Sequence, residues 1–523
     1  MFDWQAIWGL DRFRFPAEGM VYPGLGDAWV YVTLLAVLLI GLWSLVTKPA
    51  TYRPKHLSFK NIPVIGPVLH RQITRPWLLL GVRLLFVGIF LLLIASGLFG
   101  TALVERNLAT TLTWTVWWAG LIMVTYFTGS VWCAVCPWDV LATWLLRLRL
   151  WRRGDNRRSL QLRVPRWLRN IWPATAMLII LSWFELGLGL SASPFGTALL
   201  ALVIVALALL SQALFERKPF CRYFCSVGRT VGFYGSLSPV ALRPVSQQVC
   251  ADCKTLECYH GTQEIEACPT FLVLGRTRQN TFCTSCGACS QSCPKQNVNW
   301  GLRGIGEEVI HNLRPHWDEA WFILILLGLT GFHGLTMLPG WEAWLAQDTS
   351  DGGQSLWRFS ASMLLSVGAP LLLFALVLRW LMSFCQQEFE YRRLFAALAL
   401  PMLPLAFAYH LAHNLNYLLR EGRGLFDVLL NPFGLDSLPL SVHEIQLRQV
   451  SPLLPQELLH VLQAGLLIFG FWLALRILRQ RLLELSQFIA NKRLLVHIAM
   501  LTLITLVTLL ELWLLMQPMS MRL

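Results

Sequence analysis

Cys283-Thr-Ser-Cys286-Gly-Ala-Cys289-Ser-Gln-Ser-Cys293-Pro294 is the stretch on which the reading of this chain turns. Its CxxCxxCxxxCP spacing lets three closely spaced thiolates hold one face of a [4Fe–4S] cubane while the fourth, ahead of the proline, reaches a neighbouring cluster. A second cysteine set is therefore expected nearby. Cys250, Cys253, Cys258 and Cys268-Pro269 supply it, with four residues between the second and third cysteines and nine between the third and fourth. By the crossed rule, Cys250, Cys253, Cys258 and Cys293 hold one cluster, and Cys283, Cys286, Cys289 and Cys268 hold the other. Tetrahedral zinc is the alternative occupant of CxxC pairs.

Outward from this segment the chain turns apolar. Of its 523 residues 55% are hydrophobic and 14% charged, and the mean hydropathy is +0.54. A spanning helix needs about 20 mostly apolar residues. Ten stretches meet that need, at 27–47, 76–99, 110–132, 171–193, 195–215, 319–339, 358–384, 394–419, 456–475 and 494–516. The net charge of +14 raises the question of nucleic acid, and placement answers it. With the N-terminus outside, the loops at 48–75, 133–170, 216–318, 385–393 and 476–493 hold 33 of the 43 Lys and Arg. That asymmetry is the positive-inside pattern, so the basic residues serve topology and no nucleic-acid partner is expected. The cysteine segment then faces a reducing cytoplasm, which disfavours disulfides.

The expected architecture is an all-α polytopic membrane protein of about ten transmembrane helices with an inserted cytoplasmic two-cluster ferredoxin-like α+β domain. Residues 1–215 form a five-helix membrane domain, 216–318 the iron–sulfur domain, and 319–523 a second five-helix domain. Both termini lie outside a bacterial inner membrane. The start, MFDWQAIWGLDRFRF, has no basic n-region or short cleavable stretch, so the first helix is expected to remain.

Within the first half a unit repeats, two helices and then a cysteine pair, in FTGSVWCAVCPWDVLATWLL and FERKPFCRYFCSVGRTVGFY. Cys133, Cys136, Cys221 and Cys225 are thereby candidates for a third iron–sulfur centre at the inner membrane surface, since four thiolates suit soft iron sites. A redox-active dithiol and a copper–thiolate site are the alternatives. Residues 137–151 and 226–236 are expected to lie along that surface as short interfacial elements. Cys385 reads as a small unliganded hydrophobe.

The second half carries histidines. His333, His410, His413 and His460 fall in the outer half of their spans, where ionisable groups are costly and face a cavity or a ligand. They are candidates for haem b, a quinone or a metal, with His410 or His413 facing His460 as the favoured haem pair and His333 as the substitute. Interhelical hydrogen bonding, with Asn414 and Asn416, is the plainer alternative. Glu185 and Glu511 are candidates for a proton path. Pro401 and Pro404 are expected to kink the helix below His410. The sequence contains no CxxCH, no GxGxxG after a strand and no Walker loop, so c-type haem and nucleotide chemistry are not indicated.

On WCAVCP, CRYFC and the paired ferredoxin spacing, residues 76–300 resemble the NosR/NapH-type membrane polyferredoxins, a group that includes the CcoG-like proteins. The resemblance implies membrane cysteine pairs at Cys133, Cys136, Cys221 and Cys225 and cluster ligands at the eight insert cysteines. It also implies a role in quinol oxidation or electron supply to enzymes outside the membrane, with redox partner subunits. This chain departs in having Ser226 after Cys225 where the family generally has proline, in a tighter first pair, and in the enlarged Cys258–Cys268 loop. The expected function is electron relay between the clusters and a quinone or haem site. Reduction or assembly of a metal such as copper is the alternative from another class, and redox sensing is a third.

Overall fold

The computed structural model describes residues 21–47, 57–63, 66–68, 71, 75–147, 159–346, 355–384, 390–489 and 492–520; Cys385 and the end of the expected 137–151 element lie outside them. The helices that matter here are α1 (Asp27–Val46), α2 (Pro76–Phe99), α3 (Leu108–Thr128), α4 (Pro137–Arg147), α5 (Trp172–Gly187), α6 (Pro194–Leu214) and α7 (Ser226–Gly235). In the second half come α8 (Trp317–Thr336), α9 (Leu356–Met382), α10 (Tyr391–Ala399), α11 (Leu403–Glu421), α12 (Gln456–Glu484) and α13 (Arg493–Met516). Short strands are β1 (Val21–Tyr22), β2 (Leu57–Ser58), β3 (Val240–Pro244), β4 (Val298–Leu302) and β5 (Met519–Ser520).

Among the described residues nine helices are long and apolar enough to cross a membrane, one of them the α10–α11 run, so the protein is a multi-pass membrane protein. Their outward faces show why water is excluded as the solvent: Leu84, Leu85, Leu91 and Leu92 on α2 and Leu364, Leu365 and Leu372 on α9 are all exposed. The span expected at 171–193 is shorter than anticipated. Helix α5 runs 16 residues and stops at Gly187, followed by a left-handed Gly189 and a 3₁₀ turn at Leu190–Ala192.

Two groups of helices make the membrane part. Helices α2, α4 and α6 pack together, and α11 forms the hub of the other group, against α12, α8, α3, α7 and α13. Every residue of α11 from Leu403 to Asn416 is buried. Close approach at this hub uses Gly470 of α12, where a Cβ would come 2.5 Å from Ala408 Cβ and 2.9 Å from Pro404 O. Where the kink is expected, a 3₁₀ turn at Leu400–Met402 separates α10 from α11, and Pro401 offers no N–H to a helical ladder.

Between the halves sits a small β-containing, cysteine-rich insert. Its antiparallel sheet has the order β2-β4-β3, with Leu242 opposite Trp300 and Leu57 opposite Leu302. Strand β2 comes from the loop after α1, so the sheet draws on residues well before 216. A second sheet joins the chain's two ends, β1 to β5, pairing Val21 with Ser520 and Tyr22 with Met519.

One expectation is overturned. Residues 226–236 do not lie on a membrane surface: every residue of α7 from Ser226 to Gly235 is buried, packed on α3, α5 and α11. Its Arg229 is bonded inside the protein, donating to Thr281 O at 3.0 Å and Cys221 O at 3.0 Å. Gly232 permits the contact, since a Cβ there would come 2.0 Å from Thr281 O.

Candidate cofactor site

The eight insert cysteines all carry free thiols. Short helical turns and left-handed residues, among them Leu256, Ser285 and Gly287, fold the chain tightly enough to turn successive sulfurs inward. Cys250, Cys253, Cys258 and Cys293 line one small cavity with Gly275 and Asn297. Gly275 belongs there for lack of a side chain, as a Cβ would come 2.5 Å from Cys250 Sγ. Cys283, Cys286, Cys289 and Cys268 form the neighbouring group, close enough for Cys283 to feel Cys286 and Cys268 and for Cys289 to feel the other three, and Cys289 also feels Cys258. Burial pushes the Cys283 thiol up to about 12 and that of Cys289 well above its ordinary value. Half-buried Cys253 goes the other way, lowered by hydrogen bonds from the Leu256 N–H and Thr255.

Amide donors already point at several sulfurs. Asn297 Nδ2 donates to Cys250 Sγ at 3.2 Å, and the N–H groups of Leu272, Ser285 and Asn297 reach Cys268, Cys283 and Cys293 Sγ at 3.3, 3.4 and 3.4 Å. Hydrogen bonds to sulfur tune the potential of a thiolate-held cluster. Among the described residues no three His, Cys, Asp or Glu side chains converge closely enough to hold a single metal ion. Four thiols around a cavity, with N–H donors behind them, fit a polynuclear cluster in their chemistry.

Cys133, Cys136, Cys221 and Cys225 also come together, from two chain segments about 90 residues apart in sequence. The positive φ of Gly129 ends α3 and turns the chain into Trp132–Val135, while a π-helical turn at Phe220–Phe224 carries Cys221. Cys133 lies within electrostatic range of both Cys225 and Cys283, and burial pushes its thiol up to about 12. The four thiols thus adjoin the second insert group.

Sequence reading passed over the charged residues here. Asp139 is buried beside the pairs, bonded to Lys218 Nζ at 2.5 Å and Gln212 Nε2 at 3.1 Å, with Cys221 Sγ 3.6 Å away. The Arg229 guanidinium lies 4.4 Å from the Phe282 ring centre and within electrostatic range of Cys133 and Cys225. An arginine inside the small-residue run SVGRTVGFYG was the available signal. Arg83 of α2 donates to Ala134 O at 2.9 Å and so braces the first pair instead of reaching for water.

The histidines divide. His333 and His413 have ring centres 5.1 Å apart, and His413 Nε2 lies 3.1 Å from Met337 Sδ. His410 packs 5.6 Å from the Trp118 ring and its Nδ1 is 3.2 Å from the Tyr234 hydroxyl. His460 is elsewhere, bonded to Gln456 at 2.7 Å and close to Gly26. The favoured pairing with His460 is therefore not the arrangement seen, and His333 takes its place beside His413. Topology assigns a height in the membrane; it does not say which way a side chain faces. His413 Nδ1, Tyr409 Oη and both carboxyl oxygens of Glu511 are buried without a hydrogen bond. Glu185 lines the chamber that holds His333, Met337 and His413.

Fold and site together define a multi-pass membrane protein whose insert carries eight cysteines spaced like two ferredoxin motifs. No family model matches the chain, and no solved structure matches it significantly. Over 101 residues it is 35% identical to YccM of Escherichia coli (strain K12), whose description assigns it provisionally to electron transport. The match takes in 19% of this chain and 25% of that protein's length, a weak and partial similarity.

Proposed function

We propose that this chain is a membrane-integral iron–sulfur electron-transfer protein. In this reading two [4Fe–4S] clusters sit on the insert, which faces the cytoplasm, and a third on the four membrane-proximal thiols. Electrons pass between them and a quinone in the helical bundle, in a complex with redox partner subunits. The carrying observation is the succession of cysteine groups, each within electrostatic range of the next: Cys258 beside Cys289, and Cys283 beside Cys133. A relay needs no bond-making residue of its own, only cofactors held close together. The similarity to YccM supports the same class of function.

Anaerobic purification with iron and sulfide analysis and EPR tests this. About eight irons per chain are expected from the insert cysteines alone, and more from the membrane pairs. Zinc in their place, with no EPR signal after reduction, overturns the proposal.

A second reading has its own observation. His333, Met337 and His413 present two imidazoles and a thioether to one chamber, a soft donor set suited to Cu(I). Reduction or handling of copper would use it. Copper retained through purification and lost on Met337→Leu substitution would favour this reading; an α-band of b-haem would instead assign His333 and His413 to haem.

A further inference from the structure

Beside the membrane cysteine pairs lies a cavity of about 210 Å³ that the sequence does not announce. Five tryptophans wall it: Trp114, Trp117, Trp118, Trp132 and Trp138. Trp117 is the centre of the group, its ring 5.9 Å from Trp118, 5.6 Å from Trp132 and 5.6 Å from Trp138. The stretch Thr111–Trp117 of α3 is π-helical, which changes the angular spacing of Trp114 and Trp117 from that of an α-helix. Such π segments recur at functional sites.

Three features say what belongs there. First, the indole nitrogens of Trp117, Trp132 and Trp138 are buried and make no hydrogen bond, whereas Trp114 Nε1 donates to Thr197 Oγ1 at 2.9 Å. Buried donors without an acceptor are unfavourable, so a ligand with acceptor oxygens gains by supplying one. A lipid acyl chain offers none. Second, the walls are aromatic faces, on which a planar ring stacks well. Third, the wall residues Trp132, Pro137 and Ser226 are covalent neighbours of Cys133, Cys136 and Cys225. An occupant therefore sits against the chain neighbours of three of the four cysteines. The volume is below the roughly 300–1,000 Å³ of pockets that enclose drug-sized ligands. It suits a compact headgroup whose tail leaves past Ile89, which is exposed on the outer face of α2.

We propose that this tryptophan cavity binds the headgroup of a quinone. The inference rests on the electron-transfer reading and places its membrane partner away from the histidines. The cavity shares Trp114, Trp118 and Glu185 with the His333–His413 chamber, so a carboxyl stands between the ring site and the imidazoles.

The test uses the full-length protein purified anaerobically in detergent, with iron and sulfide measured on every sample. A short-chain naphthoquinone is titrated by calorimetry, and an azide-bearing analogue is photo-crosslinked and mapped by mass spectrometry. Crosslinks are expected within residues 86–93, 112–118 or 132–138. Trp117→Phe keeps an aromatic face but trades the indole for a smaller phenyl without the N–H, and should weaken binding about three- to tenfold. Ala201→Phe fills the cavity and should weaken it at least tenfold at unchanged iron content. Crosslinks confined to the histidine chamber, or unchanged affinity in both variants, overturn the proposal. Quinone bound at the tryptophans of a sample without clusters would sink the electron-transfer reading and leave this site standing; clusters present with no quinone bound would do the reverse.

Discussion

At the scale of single residues, the junction between insert and bundle is held by buried charge. Glu308 accepts from Arg303, from Arg243 at 3.1 Å and from the Asn280 N–H at 2.5 Å. Burial alone would raise its carboxyl, but the two guanidiniums hold it below its ordinary value near 4.5. A depressed folded-state pKa contributes stability that is complete above the unfolded value and lost as pH falls through the folded one. Stability should thus be flat with respect to Glu308 at neutral pH and decline below about pH 4.5. Glu308→Gln should remove that acid-dependent decline and cost about 3–5 kcal/mol at pH 7, since two buried cations lose their counter-charge. Thermal melts across pH check both statements; an unchanged midpoint at pH 7 contradicts the second. Gly232 offers a steric counterpart. Gly232→Ala sets a Cβ against the Thr281 carbonyl, so α7 and the insert must separate, at a cost of about 1–3 kcal/mol. A lower melting midpoint than that of Gly331→Ala, where a Cβ meets nothing within 4 Å, is the expected result.

Among the elements, what was legible depended on whether the signal was local. The cysteine groups could be read because their spacing is a covalent constraint on four sulfurs around one centre. Most spans could be read because lipid demands a continuous apolar run. Helix α7 could not. Ser226, Arg229, Thr230 and three glycines give it the composition of a surface segment, and its burial follows from carbonyl acceptors at Thr281 and Cys221, distant in the chain or in a turn. The tryptophan cavity escaped notice for a related reason: it is assembled from helices α2 to α7 and the turn at Trp132, and no one of them shows a pocket. The partnership of α7 with α11 is itself testable. Tyr234→Phe leaves a buried imidazole nitrogen of His410 without its hydroxyl partner, at a cost of about 1–3 kcal/mol. Hydrogen exchange at the His410 turn should rise if this bond helps hold the two helices, and stay as in the parent if it does not.

For the whole molecule, the β1–β5 pairing constrains topology. Two chain ends hydrogen-bonded in one sheet lie on the same side of a membrane, which requires an even number of crossings. The nine long helices among the described residues do not satisfy that, and α5 with its following 3₁₀ turn is the remaining apolar helix among them. At about 1.5 Å per residue its 16 residues reach about 24 Å, short of the roughly 30 Å hydrocarbon core, so the bilayer thins or the flanking turn completes the crossing. Five crossings before the insert and five after it then place insert and termini on opposite faces. Reporter fusions ahead of Val21 and within the insert should give opposite signals, and like signals would exclude α5 as a crossing.

That same pairing has a consequence in time. Val21 leaves the ribosome 499 residues ahead of Ser520, so the partner of β1 does not exist until every helix between them has been made. Contacts so remote in sequence close late, after local helices have formed. Helix α1, which packs on α12 and α13, waits as well. Until those helices arrive its apolar faces have only lipid for company. A chain interrupted before α12 therefore leaves an unpaired strand and an undocked first helix, features by which quality control can tell an unfinished molecule from a finished one.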